Sequence, residues 1–519
     1  MKRSFFTNTV VLAASFQILR VFGIFIAAFL AARIGTEGLG LYQLIFTLYV
    51  LIATLVTSGI GTAVTRLVAE SMGQSGGKST SNVLRYCILY SLGISIAVAA
   101  ALYFAAGFIG ATFLSDPRTV LSIQVMAPSL PFMAVISCLR SYFYGVRKAV
   151  QPASIMLFEQ IVQFLLLIAI IDSFASRGLE YACFAVILTS VAAEGITFIY
   201  SFILYRIEKH RSKLKVVRDS NIQKKILGIA VPVAGSSYLR AGLRTVESML
   251  LPSRLQMSGI STKAALSQYG LLIGMVMPVL FFPTAILFAI STLLLPEISE
   301  ANALKDSQKV SVTVSKVLQI TLLFSLLFFG IFVFFPNELC MAIYKSREAG
   351  MLLRILAPLV PLIYMDILVD SMMNGLNKQF TTLVINIIDY SLRIVLILIF
   401  VPQYGLPAYI VIFFISTVLN AFLSLNRLVK ASGIKVKLGN WVLKPLISIT
   451  AAGLATTLLF NLINLGGGWG LALKIILIAV LYLLLLFWLE CVTKQDMQLF
   501  KRLARGAKKF GPRSNSIPD

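Results

Sequence analysis

From Thr9 to Cys491 the chain runs through one apolar stretch after another, each near 20 residues, long enough to cross a hydrocarbon core of about 30 Å. Short polar joints separate them, none long enough to fold as a soluble domain of its own. Apolar residues make up 58% of the 519 and charged residues only 13%, against roughly 45 to 50% apolar in an ordinary soluble domain. The expectation is an all-α polytopic membrane protein.

Apolar runs bounded by charge, glycine or proline place spans near 9–32, 40–62, 84–107, 120–143, 153–172 and 180–204. After a basic stretch from Arg206 to Lys225, more follow near 226–250, 266–294, 313–335, 350–373, 380–401, 406–426, 441–462 and 470–491, about fourteen in all. Lys2 and Arg3 precede a first stretch that contains Arg20. It is too long and too interrupted for a cleavable signal and reads as a retained first helix.

A net charge of +24 raises the question of nucleic acid. A nucleic-acid reader gathers Lys and Arg on one face of a folded domain, whereas here they sit in loops between spans. Loops around Lys78, Arg147, Arg211, Lys309, Lys378 and Lys435, with both ends of the chain, hold about 32 of the 45 basic residues, against about 8 in the alternate loops. Basic loops stay cytoplasmic, so both termini are predicted to be cytoplasmic. Cys87, Cys138, Cys183, Cys340 and Cys491 are scattered singly with no CxxC spacing, which indicates neither a disulfide framework nor a zinc site. His210, the one histidine, falls in a charged loop, so a histidine relay or metal site within the membrane is excluded.

An internal repeat organises the chain. At an offset of 230 residues Ala127-Pro128-Ser129-Leu130-Pro131 lies on Ala357-Pro358-Leu359-Val360-Pro361, Gly145 on Gly375, Lys148 on Lys378 and Glu159 on Asp389. Gly178-Leu179 meets Gly405-Leu406 after a small shift, and Leu19-Arg20 matches Leu239-Arg240. Six helices separate equivalent positions, so the halves share one topology about an axis along the membrane normal. The predicted organisation is an N-lobe over 1–225, a C-lobe over 226–430, and a final helix pair with a basic tail over 431–519. The cavity lies between the lobes. The duplication reads either as ancestry alone or as the frame of an alternating-access carrier.

Charges inside spans cost about 2.5 to 3.5 kcal/mol each, so they face a wet cavity or each other. Arg20 in the first helix and Arg240, Arg244 and Glu247 in the seventh are the leading set, the last three spaced for one helix face. Guanidinium groups match phosphate oxygens bidentately, which suits a pyrophosphate head group. The competing reading pairs Arg244 with Glu247 and lets Arg20 and Arg240 snorkel or bond to carbonyls. Glu159 has no local partner and, with Gln160 and Gln163, makes the fifth helix a second polar surface. Asp389 and Arg393 are spaced for an intrahelical ion pair. Alternatively Asn386, Asp389 and Asn420 offer hard oxygens to a sodium ion, or Asp389 carries a proton. Asp366 and Asp370 are alike in charge and need a cation, a proton or water.

Pro128, Pro131, Pro358 and Pro361 fall at helix starts, where proline is tolerated, whereas Pro278 and Pro283 should bend the eighth helix into either a gate or a static kink. No Walker A loop, HExxH or GxSxG elbow occurs, so the chain reads as a carrier with no cofactor, not an enzyme.

Several stretches carry a family resemblance: Ala32-Arg33-Ile34-Gly35-Thr36-Glu37-Gly38-Leu39-Gly40-Leu41-Tyr42, Leu67-Val68-Ala69-Glu70, and Leu139-Arg140-Ser141-Tyr142-Phe143-Tyr144-Gly145. Phe158-Glu159-Gln160, Leu295-Pro296-Glu297-Ile298-Ser299-Glu300 and Asn374-Gly375-Leu376 extend it. In this order, over nearly the whole chain, they resemble the stage V sporulation protein B family of polysaccharide transporters, within the multidrug/oligosaccharidyl-lipid/polysaccharide flippase superfamily. The resemblance implies a flippase for undecaprenyl-linked sugars, lipid II among them, in the bacterial cell membrane during spore cortex synthesis; Na+ or H+ is the coupling ion to which the intramembrane oxygens point, and cell-wall synthesis enzymes are the expected partners. Arg140, with Glu159 and Gln163, completes the expected head-group and cavity set of Arg20, Arg240, Arg244 and Glu247. Vegetative lipid II flippases carry several arginines in the first two helices; here the second span has none and Arg20 stands alone in the first. In that family the final helix pair, here 441–491, helps form a groove for the lipid tail. A polysaccharide repeat-unit exporter, a cation-coupled multidrug antiporter of the same superfamily and a non-transporting scaffold are the alternatives. The antiporter is disfavoured by the three arginines Arg20, Arg240 and Arg244.

Overall fold

A computed structural model describes residues 2–75, 80–212, 222–434, 439–463 and 468–491, and these residues contain helices and turns but no strand. The first half holds α1 (Lys2–Thr57), α2 (Ile60–Ser75), α3 (Thr80–Phe108), α4 (Val120–Met126), α5 (Leu130–Gly145), α6 (Val150–Ala175) and α7 (Leu179–Ser212). The second holds α8 (Ile222–Met257), α9 (Thr262–Tyr269), α10 (Met277–Phe281), α11 (Thr284–Ala303), α12 (Ser307–Phe334), α13 (Pro336–Tyr344), α14 (Arg347–Leu356), α15 (Val360–Gly375) and α16 (Gln379–Ser432). A last pair, α17 (Lys444–Ile463) and α18 (Gly468–Trp488), follows. A helix suits a lipid environment, because it satisfies every backbone polar group within its own segment.

Twelve stretches among the described residues are long and apolar enough to cross a membrane, where the sequence predicts about fourteen. The difference lies in two of them, Ala14–Met72 with 59 residues and Gln379–Ser432 with 54. At about 1.5 Å per residue either would measure roughly 80 to 90 Å, nearly three hydrocarbon cores. Each is interrupted at a glycine with non-helical angles, Gly35 (φ 67°, ψ −175°) and Gly405 (φ 65°, ψ −146°), and the first turns once more before α2. Glycine reaches these angles with no Cβ to clash, so the helical ladder stops for one residue and resumes. The sequence reading divides each of these two paths into two spans, with Gly35 and Gly405 in the joints between them.

Other sequence boundaries shift in informative ways. The second span, predicted to stop at 62, turns at Ser58–Gly59 and continues as α2 to Ser75, so this path does carry an arginine, Arg66. The eighth span breaks at Pro283 as expected, whereas Pro278 begins α10 after a wide-helix segment, Gly270–Val276. His210 sits exposed on the last turn of α7, not in a loop. Lys78, Lys435 and the tail beyond Cys491 lie outside the described residues, as does the side chain of Arg211. All five cysteines are buried and unbridged.

The repeat is written into the backbone. Ala127–Ser129 and Ala357–Leu359 each form a single 3-10 turn leading into a 16-residue helix, α5 and α15. Left-handed residues precede and follow both: Ser115 (φ 53°) and Lys345 (φ 57°), then Arg147 (φ 61°) and Asn377 (φ 59°), each pair 230 apart. All four prolines of the motif stand in the first turns of their helices, where their missing N–H loses no bond.

In the first half α5 packs against α2, α3 and α7, and in the second α15 packs against α11, α12 and α16. α1 spans the boundary, touching α6 on one side and α8, α9 and α11 on the other. There the chains meet backbone to backbone: a Cβ on Gly40 would lie 2.0 Å from the Leu266 carbonyl oxygen, and one on Gly270 2.2 Å from that of Thr36. Thr36 and Ser267 hydroxyls meet at 2.5 Å beside this contact. The outer surface carries large apolar side chains such as Phe104, 85% exposed, and Trp488, 79% exposed, which only a lipid solvent accommodates.

Candidate functional site: two intramembrane polar clusters

The second-half cluster forms where α8, α15 and both arms of α16 converge. Arg393 is its hub. Its guanidinium donates to Asp389, one turn back, at 2.8 Å and to Glu247 of α8 at 3.1 Å, and its Nε donates to the Ser416 hydroxyl at 3.0 Å. Ser416 in turn hydrogen-bonds the other Asp389 oxygen, and Tyr409 reaches Glu247 at 3.4 Å. Phe413 and Tyr390 lie against the guanidinium plane at 5.1 and 5.6 Å. Asp389, Glu247 and Arg393 are all about nine-tenths buried, so the ions are held by one another and by hydroxyls in place of water.

This arrangement contains the i,i+4 pair expected from Asp389 and Arg393, but it separates the predicted seventh-helix stripe. Glu247 turns inward to Arg393, not to Arg244, while Arg240 and Arg244 are exposed. Arg20, partly buried on α1, stacks over Phe288 of α11 at 5.7 Å. The predicted cation set of Asn386, Asp389 and Asn420 is likewise divided. Asp389 is taken by Arg393, Asn420 donates to Asp366 at 3.2 Å, and Asn386 faces Asp370. Asp370 also lies within electrostatic reach of Arg240, and one buried oxygen of Asp366 has no partner.

The first-half cluster is looser. Glu159 of α6 finds Arg140 of α5 at 3.8 Å, so it has a tertiary partner that its own helix does not supply; both side chains stay about a quarter exposed, at 29% and 26%. Gln160 donates to Gln163 at 3.1 Å, and Gln163 to Ser190 of α7 at 2.7 Å. Deeper in, Glu194 of α7 accepts a hydrogen bond from the Tyr49 hydroxyl of α1, while its second oxygen is buried without a partner.

Sequence reasoning missed Glu194, Tyr49 and Arg66. Glu194 was findable, since it is a carboxylate inside an apolar span. Tyr49 was not, because its role depends on a neighbour 145 residues away. Arg66 lines a cavity of about 540 Å³ with Thr57, Ser58, Thr62, Ser141 and Ser237, where α1, α2, α5 and α8 come together.

The chain resembles known proteins over most of its length. Its sequence matches the polysaccharide biosynthesis protein family over residues 5–302. It is 25% identical to stage V sporulation protein B of Bacillus subtilis (strain 168) over 513 residues, 97% of this chain and 99% of that one. Its fold is similar to the lipid II flippase MurJ in an inward closed conformation, with a TM-score of 0.64 at 14% identity over 92% of this chain and 98% of that one. An inward-facing multidrug resistance MATE family transporter of the MOP superfamily gives a TM-score of 0.59 at 13% identity over 82% and 99%. The fold is thus that of MOP transporters, and the match over more than half its residues makes this multi-pass membrane chain a member of the polysaccharide biosynthesis protein family.

Proposed function

We propose that this protein is a flippase for a lipid-linked sugar, moving an undecaprenyl-pyrophosphate glycan of the lipid II type from the cytoplasmic to the outer leaflet of a bacterial cell membrane. In this reading 1–225 and 226–430 form two parallel lobes that rock about a site between them, 431–519 adds a flank for the lipid tail, and both termini are cytoplasmic. The observation that carries it is that Arg20 on α1, Arg66 on α2 and Arg240 and Arg244 on α8 are among the arginines with no carboxylate bridge among the described residues. Every guanidinium bound to an acid is spent on structure; these four remain available to phosphate oxygens. Arg66 stands among hydroxyls that suit a sugar or diphosphate entering from the cytoplasmic side. Similarity to stage V sporulation protein B supports a role in spore cortex or cell-wall synthesis, with cell-wall enzymes as consumers of the delivered sugar. Export of a polysaccharide repeat unit is the second reading, favoured by the family's description.

Binding separates this reading from an antiporter of cationic drugs. Native mass spectrometry of the purified protein should detect lipid II, with binding weakened roughly tenfold or more when Arg20→Ala or Arg240→Ala removes a charge-assisted bond. Equal retention of the lipid by wild type and all four arginine variants would refute the phosphate-clamp assignment.

A further inference from the structure

We propose that Glu194 is a proton-binding site of the first half, holding a proton while Tyr49 is bonded to it and giving it up as Arg140 is recruited. The site stands on geometry alone. Its use in driving the carrier rests on the transport reading above.

Glu194 is 3% exposed; the Tyr49 hydroxyl donates to one of its carboxyl oxygens, and the other is buried with no partner at hydrogen-bonding geometry among the described residues. Ser129, which faces the same carboxyl from the turn before α5, donates its hydroxyl instead to the Met126 carbonyl at 3.0 Å. Glu159 of α6 and Arg140 of α5 lie within electrostatic reach, but they are bridged to each other. An ionised carboxylate with one neutral donor and one orphaned oxygen leaves a buried charge uncompensated, the arrangement that proteins avoid by neutralising the group. A proton on the orphaned oxygen removes that charge and leaves the Tyr49 bond in place. A metal cation fits poorly, because it would meet too few oxygens and the field of Arg140.

The surroundings supply a route for release. The proton leaves the Glu194 O–H bond for the Glu159 carboxylate, which is partly exposed and passes it to water. Arg140, no longer held by Glu159, then pairs with the new Glu194 carboxylate. One proton moves, one ion pair is exchanged for another, and the net charge of the three side chains falls by one when the proton reaches water. Tyr49 belongs to α1, which crosses the boundary between the halves, so the exchange pulls on the element that joins them.

Infrared spectroscopy of the full-length protein in lipid nanodiscs at neutral pH tests this. A protonated-carboxyl C=O band is expected in wild type, lost in Glu194→Gln and retained in Glu159→Gln; a band untouched by Glu194→Gln overturns the site. Should Glu194→Gln fail to fold, Tyr49→Phe must shift the frequency of the same band, and an unmoved band equally overturns it. In liposomes, Glu194→Gln should abolish the response of lipid translocation to a pH gradient; an unchanged response removes the coupling role while the spectroscopic site stands. Absence of any wild-type translocation removes the transport reading and leaves the infrared result intact.

Discussion

The two halves build one helical frame and fill it with different chemistry. At positions 230 apart, Arg140 answers to Asp370, Glu159 to Asp389 and Gln163 to Arg393. In the first half the cation is on α5 and must reach across to the acid on α6, which it does at 3.8 Å with both partners partly exposed. In the second half the cation stands one turn beyond the acid, close enough to hold Asp389 while also holding Glu247 of α8 and Ser416 beyond the Gly405 break. Moving one charge by a few residues thus changes a loose bridge between neighbouring helices into a buried staple over three helical segments. The first half keeps an acid, Glu194, that no cation among the described residues bridges.

The largest expected effect of breaking that contrast is at the staple. Arg393→Ala leaves Asp389 and Glu247 buried beside each other, a loss of about 3 to 5 kcal/mol, and should lower the detergent-phase unfolding midpoint far more than any first-half charge deletion. Next comes the seam between halves. Gly40→Ala places a methyl group 2.0 Å from a carbonyl oxygen and should cost about 1 to 3 kcal/mol, whereas Gly93→Ala, with open space around it, should leave the unfolding midpoint unchanged or raise it. Arg140→Ala removes a long, half-open bridge and should cost about 1 kcal/mol or less in the same measurement. Smallest in stability but sharpest in meaning is Gln163→Arg, which gives Glu159 a cation at the spacing used by Asp389. The Arg140–Glu159 coupling in a double-mutant cycle should then fall to near zero, while a coupling unchanged by the substitution would refute the claim that placement alone distinguishes the halves.

Much of the frame was legible because it follows from periodicity. Gly35 and Gly405 fall in joints between predicted spans, where glycine's freedom to take a positive φ lets the helix break, while the proline-led helices α5 and α15 and the break at Pro283 were marked by a residue with few conformational options. The Asp389–Arg393 pair was legible for the same reason, being local. The remaining partners were not. Glu247 bonds a residue 146 positions away and Tyr49 one 145 away, and neither spacing leaves a trace in the sequence. Arg66 escaped because hydropathy fades before the helix ends: α2 carries Thr65, Arg66 and Glu70 past the apolar run on a face that needs no lipid.

Translocation tests the central claim most directly. Purified protein in liposomes carrying lipid II on one leaflet should deliver it to the other, with initial rates reduced roughly tenfold or more in Arg20→Ala and Arg240→Ala variants that retain their unfolding midpoints. Wild type that moves no lipid II and no other polyprenyl-linked glycan under any sodium, proton or electrical gradient would contradict the account.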